Sequence, residues 1–91
     1  MIKYFSTEKG SLIVSGDLVH IPSRTPFLYG DSSVKYPNTP VVAVFIGIKD
    51  VISEWAEVLW KDSSYKVPKR DIYPLRVEDN TNVEKTNKNR F

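Results

Sequence analysis

The stretch VVAVFIGIKDVISEWAEVLWKDSSYKVP, residues 41–68, decides the fold, because it is the densest run of strand-forming side chains in the chain. Its first part, 41–48, is rich in β-branched residues and too short to span a membrane as a helix. A strand directs alternate side chains to opposite faces of its sheet. One face would carry Val42, Val44, Ile46 and Ile48, and the other Val41, Ala43, Phe45 and Gly47. Both sets are apolar, so we expect both faces to be largely covered.

The segment WAEVLWK, residues 55–61, predicts a second strand whose faces differ. Alternation places Ala56, Val58 and Trp60 on one face and Trp55, Glu57, Leu59 and Lys61 on the other. We expect Trp60 to pack in the core, because a buried tryptophan removes a large apolar area from water. Trp55 either packs under a neighbouring segment or stands exposed as an interface anchor. The polar residues 62–64 predict a hairpin turn.

Shorter strands are predicted on both sides of this stretch. IKYF and SLIV are two of them, with STEKG as the turn between, and LVHI (18–21) is a third that ends at Pro22. Residues 23–40 are rich in proline and polar residues and predict a long irregular loop, because proline cannot lie in a central strand. After the turn at 62–64, YKVP predicts a strand, KRDIY a 3₁₀ turn and PLRV a last strand.

Five to six short strands with almost no helical periodicity predict an all-β fold, and for so small a domain a closed barrel, which removes exposed sheet edges. We expect one domain over residues 1–79, with an extra N-terminal strand or hairpin, and a disordered tail over residues 80–91. Residues 1–79 carry ten Lys/Arg and ten Asp/Glu, so the net charge of +2 arises in the basic tail.

The composition argues against several functional classes. The chain has no cysteine and one histidine, His20, so it cannot build a usual zinc site, and we expect His20 at the surface or rim. The sequence contains no phosphate-binding glycine loop and no nucleophile motif. We therefore expect a protein that is not an enzyme, uses no cofactor, metal or small-molecule substrate, does not enter a membrane, and is intracellular.

The order of residues resembles the SH3-like barrel of small proteins from tailed bacteriophages. GDLVHIP is followed by a proline-rich loop, then VVAVFIGI, a turn, and WAEVLWKDSSYKVPKRDIYPL, so that the resemblance covers residues 16–77. It implies a small SH3-like barrel and a non-catalytic accessory protein in the host cytoplasm or on the virion. The paired tryptophans and Pro-x-x-Tyr ending of SH3 domains that bind proline-rich ligands are absent.

Two kinds of partner remain open at this stage. The neutral body with many aromatic residues favours a protein-interaction module that binds a host or phage protein. Its predicted partner-binding residues are Trp55, Tyr29, Tyr36, Tyr65 and Tyr73. The alternative is a KOW- or Tudor-like module that binds DNA or RNA through cations late in the chain. Its predicted contacts are Lys61, Lys66, Lys69, Arg70, Arg76, Lys85, Lys88 and Arg90.

Overall fold

The computed structural model describes residues 1–30 and 32–75, whose regular secondary structure is almost entirely β-strand. The strands are β1 (Tyr4–Ser6), β2 (Leu12–Val14), β3 (Leu18–Ile21), β4 (Phe27–Tyr29), β5 (Ser33–Lys35), β6 (Val41–Ile48), β7 (Trp55–Trp60), β8 (Ser63–Pro68) and β9 (Tyr73–Pro74). A 3₁₀ helix, Lys69–Asp71, joins β8 to β9. The all-β prediction is confirmed, and the predicted 3₁₀ turn is present. Residues 76–91, with the predicted tail, lie outside the described part.

Seven of these strands form one antiparallel sheet in the order β5-β4-β8-β7-β6-β3-β9, and β1 and β2 pair separately. The longest ladder joins β7 to β8, and β7 also pairs with β6, so the stretch that opened the sequence analysis forms the middle of the sheet. Within the described residues, the order ends at β5 and β9 and no ladder joins these two strands. The SH3-like barrel therefore stays a prediction.

The hydrophobic core lies on one face of the sheet, which we call the inner face. Its largest fully buried side chains come from β3, β4, β6, β7 and β8, from the second strand of the N-terminal hairpin, and from the residue that follows the 3₁₀ helix. They are Phe27, Phe45, Ile13, Ile21, Ile72, Val19, Val58 and Val67. Phe5 of β1 packs its ring on that of Phe45, with the centroids 5.3 Å apart. The β1–β2 hairpin thus closes the core from the side opposite the sheet.

Strand β6 contains an irregularity that the alternation did not reveal. Its pairing with β7 shifts between Phe45 and Gly47, so that Gly47 lies opposite Glu57 and Ile48 opposite Ala56. The extra residue of such a bulge reverses the faces beyond it. The alternation predicted that Ile48 lies on the same face as Val42, and this was wrong. Ile48 is buried in the core. The expectation that both faces are covered was also wrong, because Val42 is half exposed.

The prediction of an irregular loop at residues 23–40 was also wrong, because this segment contains the hairpin β4–β5. The hairpin pairs Phe27 with Lys35 and Tyr29 with Ser33, and Leu28 also pairs with Lys66 of β8. The prolines of this segment flank the hairpin and do not interrupt it, since residues 27–36 contain none. The rule against proline in strands applied to the flanks alone.

The turn between β7 and β8 is shifted by one residue from the predicted position. Trp60 pairs with Ser63, which leaves Lys61 and Asp62 as a two-residue loop. Both loop residues have positive φ, 52° and 66°, as a type I′ turn requires. Ser63 and Ser64, which were expected in the turn, begin β8 instead.

The N-terminal segment pairs with β6 just after the bulge, through an antiparallel bridge between Ile2 and Ile48. The Ile2 N–H donates to the Ile48 carbonyl (2.8 Å), and the Ile48 N–H donates back to the Ile2 carbonyl (2.7 Å). A methyl group on Gly47 would lie 2.8 Å from the Ile2 carbonyl oxygen and 2.6 Å from the Met1 Sδ. Gly47 therefore permits a close approach of two backbones that a larger residue would prevent.

Candidate interaction surface

The two tryptophans of β7 lie on opposite faces of the sheet. Trp60 is half-buried and packs its ring against Phe27 and Tyr65, with centroid distances of 5.1 and 5.6 Å. Trp60 thus packs against the core, as the alternation predicted, although part of its ring reaches solvent. Trp55 is 36% exposed on the outer face. The rest of the residue is covered, and Met1 and Leu28 lie beside it, so Trp55 combines features of the two readings that the sequence left open.

Local hydrogen bonds fix the backbone of Trp55 at the start of β7. The Ser53 Oγ accepts a bond from the Trp55 N–H (3.2 Å), and the Ser53 hydroxyl donates to the Trp55 carbonyl (3.0 Å). On its other side Trp55 pairs with Pro68 of β8. The indole therefore projects from a defined position, which reduces the entropy that a partner must remove on binding.

Trp55 lines a groove of about 520 Å³ on the outer face, which we call the Trp55 groove. A row of cross-strand neighbours, Leu28, Lys66, Glu57 and Gly47, crosses it from β4 to β6. Its walls include Met1, Leu28, Lys49, Ser53, Trp55, Glu57 and Lys66. The walls combine apolar side chains with charged ones, and the volume is in the range of ligand-binding concavities.

A turn next to this groove presents two exposed apolar side chains, Val51 and Ile52. Their exposed fractions are 75% and 84%. The Ser53 N–H donates to the Asp50 carbonyl (3.1 Å), and the Ile52 N–H donates to the Asp50 Oδ1 (3.2 Å). We call residues 50–53 the apolar turn. On its other side lies a second groove of about 370 Å³, lined in part by Val51, Ile52 and Phe5.

The outer face carries a second apolar feature that the sequence analysis missed. Leu18 of β3, Val44 of β6 and Leu59 of β7 are direct cross-strand neighbours and form a row. Leu18 and Leu59 are exposed, and Val44 is half-buried. Alternation predicted that Leu59 faces away from Trp60, but only the strand register brings these three side chains together.

The predicted aromatic residues do not all reach the surface. Tyr29, Tyr36 and Tyr73 are exposed, whereas Tyr65 is 5% exposed and packs between Phe27, Trp60 and Tyr29. Tyr65 lies inside β8 rather than in a loop or at a strand end, because the strand begins two residues earlier than expected. It is therefore a core residue, and its prediction as a partner contact was wrong.

The exposed tyrosines are also distributed along the sheet and do not surround Trp55. Tyr29 is on β4 and Tyr73 on β9, with four strands between them in the sheet order. Tyr73 contacts the half-buried His20, with ring centroids 6.4 Å apart. None of the three lines the Trp55 groove. Of the predicted partner-binding residues, Trp55 alone belongs to that groove.

The predicted basic residues within the described part are also dispersed. Lys61 lies in the turn before β8 and Lys69 in the 3₁₀ helix after it, so the strand separates them by roughly 20 Å. The Lys61 Nζ lies 4.8 Å from the Trp60 ring centroid, and the Lys69 Nζ 6.0 Å from that of Phe5. Lys66 lines the Trp55 groove. Arg76, Lys85, Lys88 and Arg90 lie outside the described residues.

Lys69 and Arg70 line a surface groove together with a third cationic residue. The third residue is Lys9 of the β1–β2 turn, and the groove of about 250 Å³ also includes Tyr73 and Glu8. This is a small basic and aromatic concavity of the kind that can hold a phosphate and stack a base. It contains neither Lys61 nor Lys66.

The described residues offer no other chemistry of a recognisable kind. Among residues 1–30 and 32–75, no group of three or more His, Asp or Glu side chains is placed to hold a metal ion. The same residues form no helix long and apolar enough to cross a membrane. Comparison with protein-family models, curated proteins and solved structures gave no match.

Proposed function

We propose that this protein is a non-catalytic interaction module that binds another protein through the Trp55 groove. The observation that supports the proposal best is a partly exposed tryptophan in the wall of a groove. The Ser53 side chain fixes the backbone of this tryptophan. Tryptophan is enriched among the residues that dominate binding energy at protein interfaces. The resemblance to small phage proteins makes a host or virion protein the expected partner, and an accessory role the expected one.

The test compares Trp55→Ala with a matched control at another exposed apolar site. The full chain is immobilised, exposed to nuclease-treated host lysate, and the bound proteins are identified. We expect Trp55→Ala to lose a protein that the wild type and Val42→Ala both retain. Val42 is exposed on β6, pairs with His20 and does not line the Trp55 groove. Loss of a hot-spot tryptophan costs about 2 kcal/mol or more of binding free energy, a fall of roughly 30-fold in affinity.

The thermal midpoint of Trp55→Ala must be measured in the same experiment. About a third of Trp55 is exposed and it lies on the outer face, so we expect the midpoint to fall by less than in a variant of a fully buried core residue. Equal capture by the wild type and Trp55→Ala would reject the proposal. A large fall in the midpoint of Trp55→Ala would show that the side chain acts in folding instead.

The basic groove supports a second candidate, a nucleic-acid-binding module of the KOW or Tudor kind. Its cations Lys9, Lys69 and Arg70 line one concavity with Tyr73. The test is fluorescence anisotropy with labelled duplex DNA and single-stranded RNA at low and physiological salt, with the full chain and with a chain ending at Asp79. This candidate predicts affinity that survives removal of the tail, falls steeply with salt, and is lost in Lys69→Glu/Arg70→Glu. Affinity that disappears with the tail, or no binding at all, would reject it.

A further inference from the structure

The apolar turn at residues 50–53 has a composition that turn formation does not explain. Central turn positions usually hold Gly, Pro, Asn, Asp or Ser. Here they hold Val51 and Ile52, the two most exposed large apolar side chains of the described residues. Both are β-branched and have few rotamers, and the Asp50 side chain fixes the backbone beneath them. The turn is therefore a pre-organised apolar projection, which loses little entropy on entering a concave site.

The Trp55 groove lies directly beside this projection. Ser53 belongs both to the turn and to the lining of the groove. Val51 and Ile52 line the groove on the opposite side of the turn and do not line the Trp55 groove of their own chain. The molecule thus presents a convex apolar feature and a concave apolar feature next to each other.

The two features are complementary in charge. The segment 50–54, with the sequence DVISE, contains two carboxylates and no cation. The Trp55 groove contains two lysines, Lys49 and Lys66, and one carboxylate, Glu57. A segment with two carboxylates and two apolar side chains therefore suits a groove whose lining combines apolar side chains with an excess of positive charge. The chain carries one such segment beside the groove itself.

We propose that two copies of this chain associate about a twofold axis, with the apolar turn of each copy in the Trp55 groove of the other. A twofold interface joins the same surface of both copies, so a projection and a groove side by side can be satisfied reciprocally. An axis close to Ser53 places both contacts in one continuous interface. We expect a weak dimer, with a dissociation constant on the order of micromolar to millimolar.

This inference goes beyond the proposed function and does not depend on it, because the occupant of the groove is the chain's own turn. The two are linked by competition. A protein partner that takes the Trp55 groove displaces the second copy, so dimerisation protects the exposed groove until the partner binds. Association measured with the purified chain alone tests the dimer without any partner.

The experiment is sedimentation equilibrium of the full chain from about 1 μM to about 1 mM, a range that spans weak dimers. We expect a concentration-dependent monomer–dimer equilibrium. Ile52→Asp places a charge at the centre of the contact and should leave a monomer. Val42→Asp makes the same change at an exposed apolar site of β6 away from the groove and should dimerise like the wild type. The thermal midpoint of each variant confirms that it is folded.

A charge exchange identifies which surfaces meet. Lys66→Glu should weaken the dimer about tenfold, because it places a like charge opposite the acidic turn. Adding Glu54→Lys in the same chain should restore association. Glu54 is the carboxylate to exchange, because the Asp50 side chain holds the turn itself. A monomer at all concentrations, a dimer unaffected by Ile52→Asp, or no recovery in the double variant would overturn the proposal.

Discussion

The two faces of strand β7 carry similar side chains in different surroundings. On the inner face Ala56 and Val58 are fully buried, and Trp60 packs against the core. On the outer face Trp55 and Leu59 are exposed, although they are as apolar as their neighbours. The alternation of a strand assigns each residue to a face. Whether a face is buried depends on what lies over it, and over this part of the outer face the described residues place little.

Within the described residues, the N-terminal segment approaches the outer face of β6 at Gly47. There Met1 and Ile2 lie against Gly47, and their backbone bonds to Ile48 extend the sheet. Trp55 and Leu59, on the strand beside it, remain exposed. The exposed part of the outer face is the surface that our proposal assigns to a partner.

The largest expected effect comes from a test of the difference between the inner and outer faces, which uses two neighbouring residues of β4. Phe27→Ala should reduce the free energy of unfolding by about 3–5 kcal/mol, because it opens a cavity in the core. Leu28→Ala, at the half-buried next position on the outer face, should cost about 1–2 kcal/mol. Urea unfolding of the two variants measures both values. Equal losses would mean that the two faces of β4 do not differ in burial.

Gly47→Ala tests the close approach of the N-terminal segment to β6. The new methyl group meets a backbone oxygen at 2.8 Å, so the N-terminal segment must shift, at a cost of about 1–3 kcal/mol. Hydrogen exchange should show faster loss of protection at the Ile2 and Ile48 amides. Val42→Ala, on the same strand at an exposed position, should change stability by less than about 1 kcal/mol. Unchanged exchange at Ile2 would contradict the close approach.

The smallest expected effect concerns the turn that sets the register of both faces. Asp62 has a φ of 66°, a conformation that glycine adopts without steric cost. Asp62→Gly should therefore raise the free energy of unfolding by about 0.5 kcal/mol, the strain relieved less the entropy of glycine. Asp50→Gly is the control, because the Asp50 side chain accepts a bond from Ile52 and its loss should destabilise. Destabilisation by Asp62→Gly would argue against the two-residue turn.

The candidate site was predictable only in part. The alternation of residues 55–61 placed Trp55 opposite Trp60, which the structure confirms. The groove around Trp55 could not be foreseen, because Leu28 belongs to a hairpin that the flanking prolines concealed. Tyr65 was assigned to the surface because its strand was expected to begin at that residue. The apolar turn was read as a simple connection, although two β-branched residues at its centre were a signal.

The sequence by itself determined the all-β class, the central strands and the inner face, because the period of two in apolar residues is a local property that burial of one face reinforces. The tertiary structure decided the bulge at Phe45–Gly47, the hairpin within residues 27–35 and the neighbours of Trp55. The neighbours of Trp55 depend on the pairing of β4 with β8, which are distant in sequence, and the bulge and the hairpin depend on a register that the alternation of apolar residues does not encode. The surface that we propose for binding arises from that register.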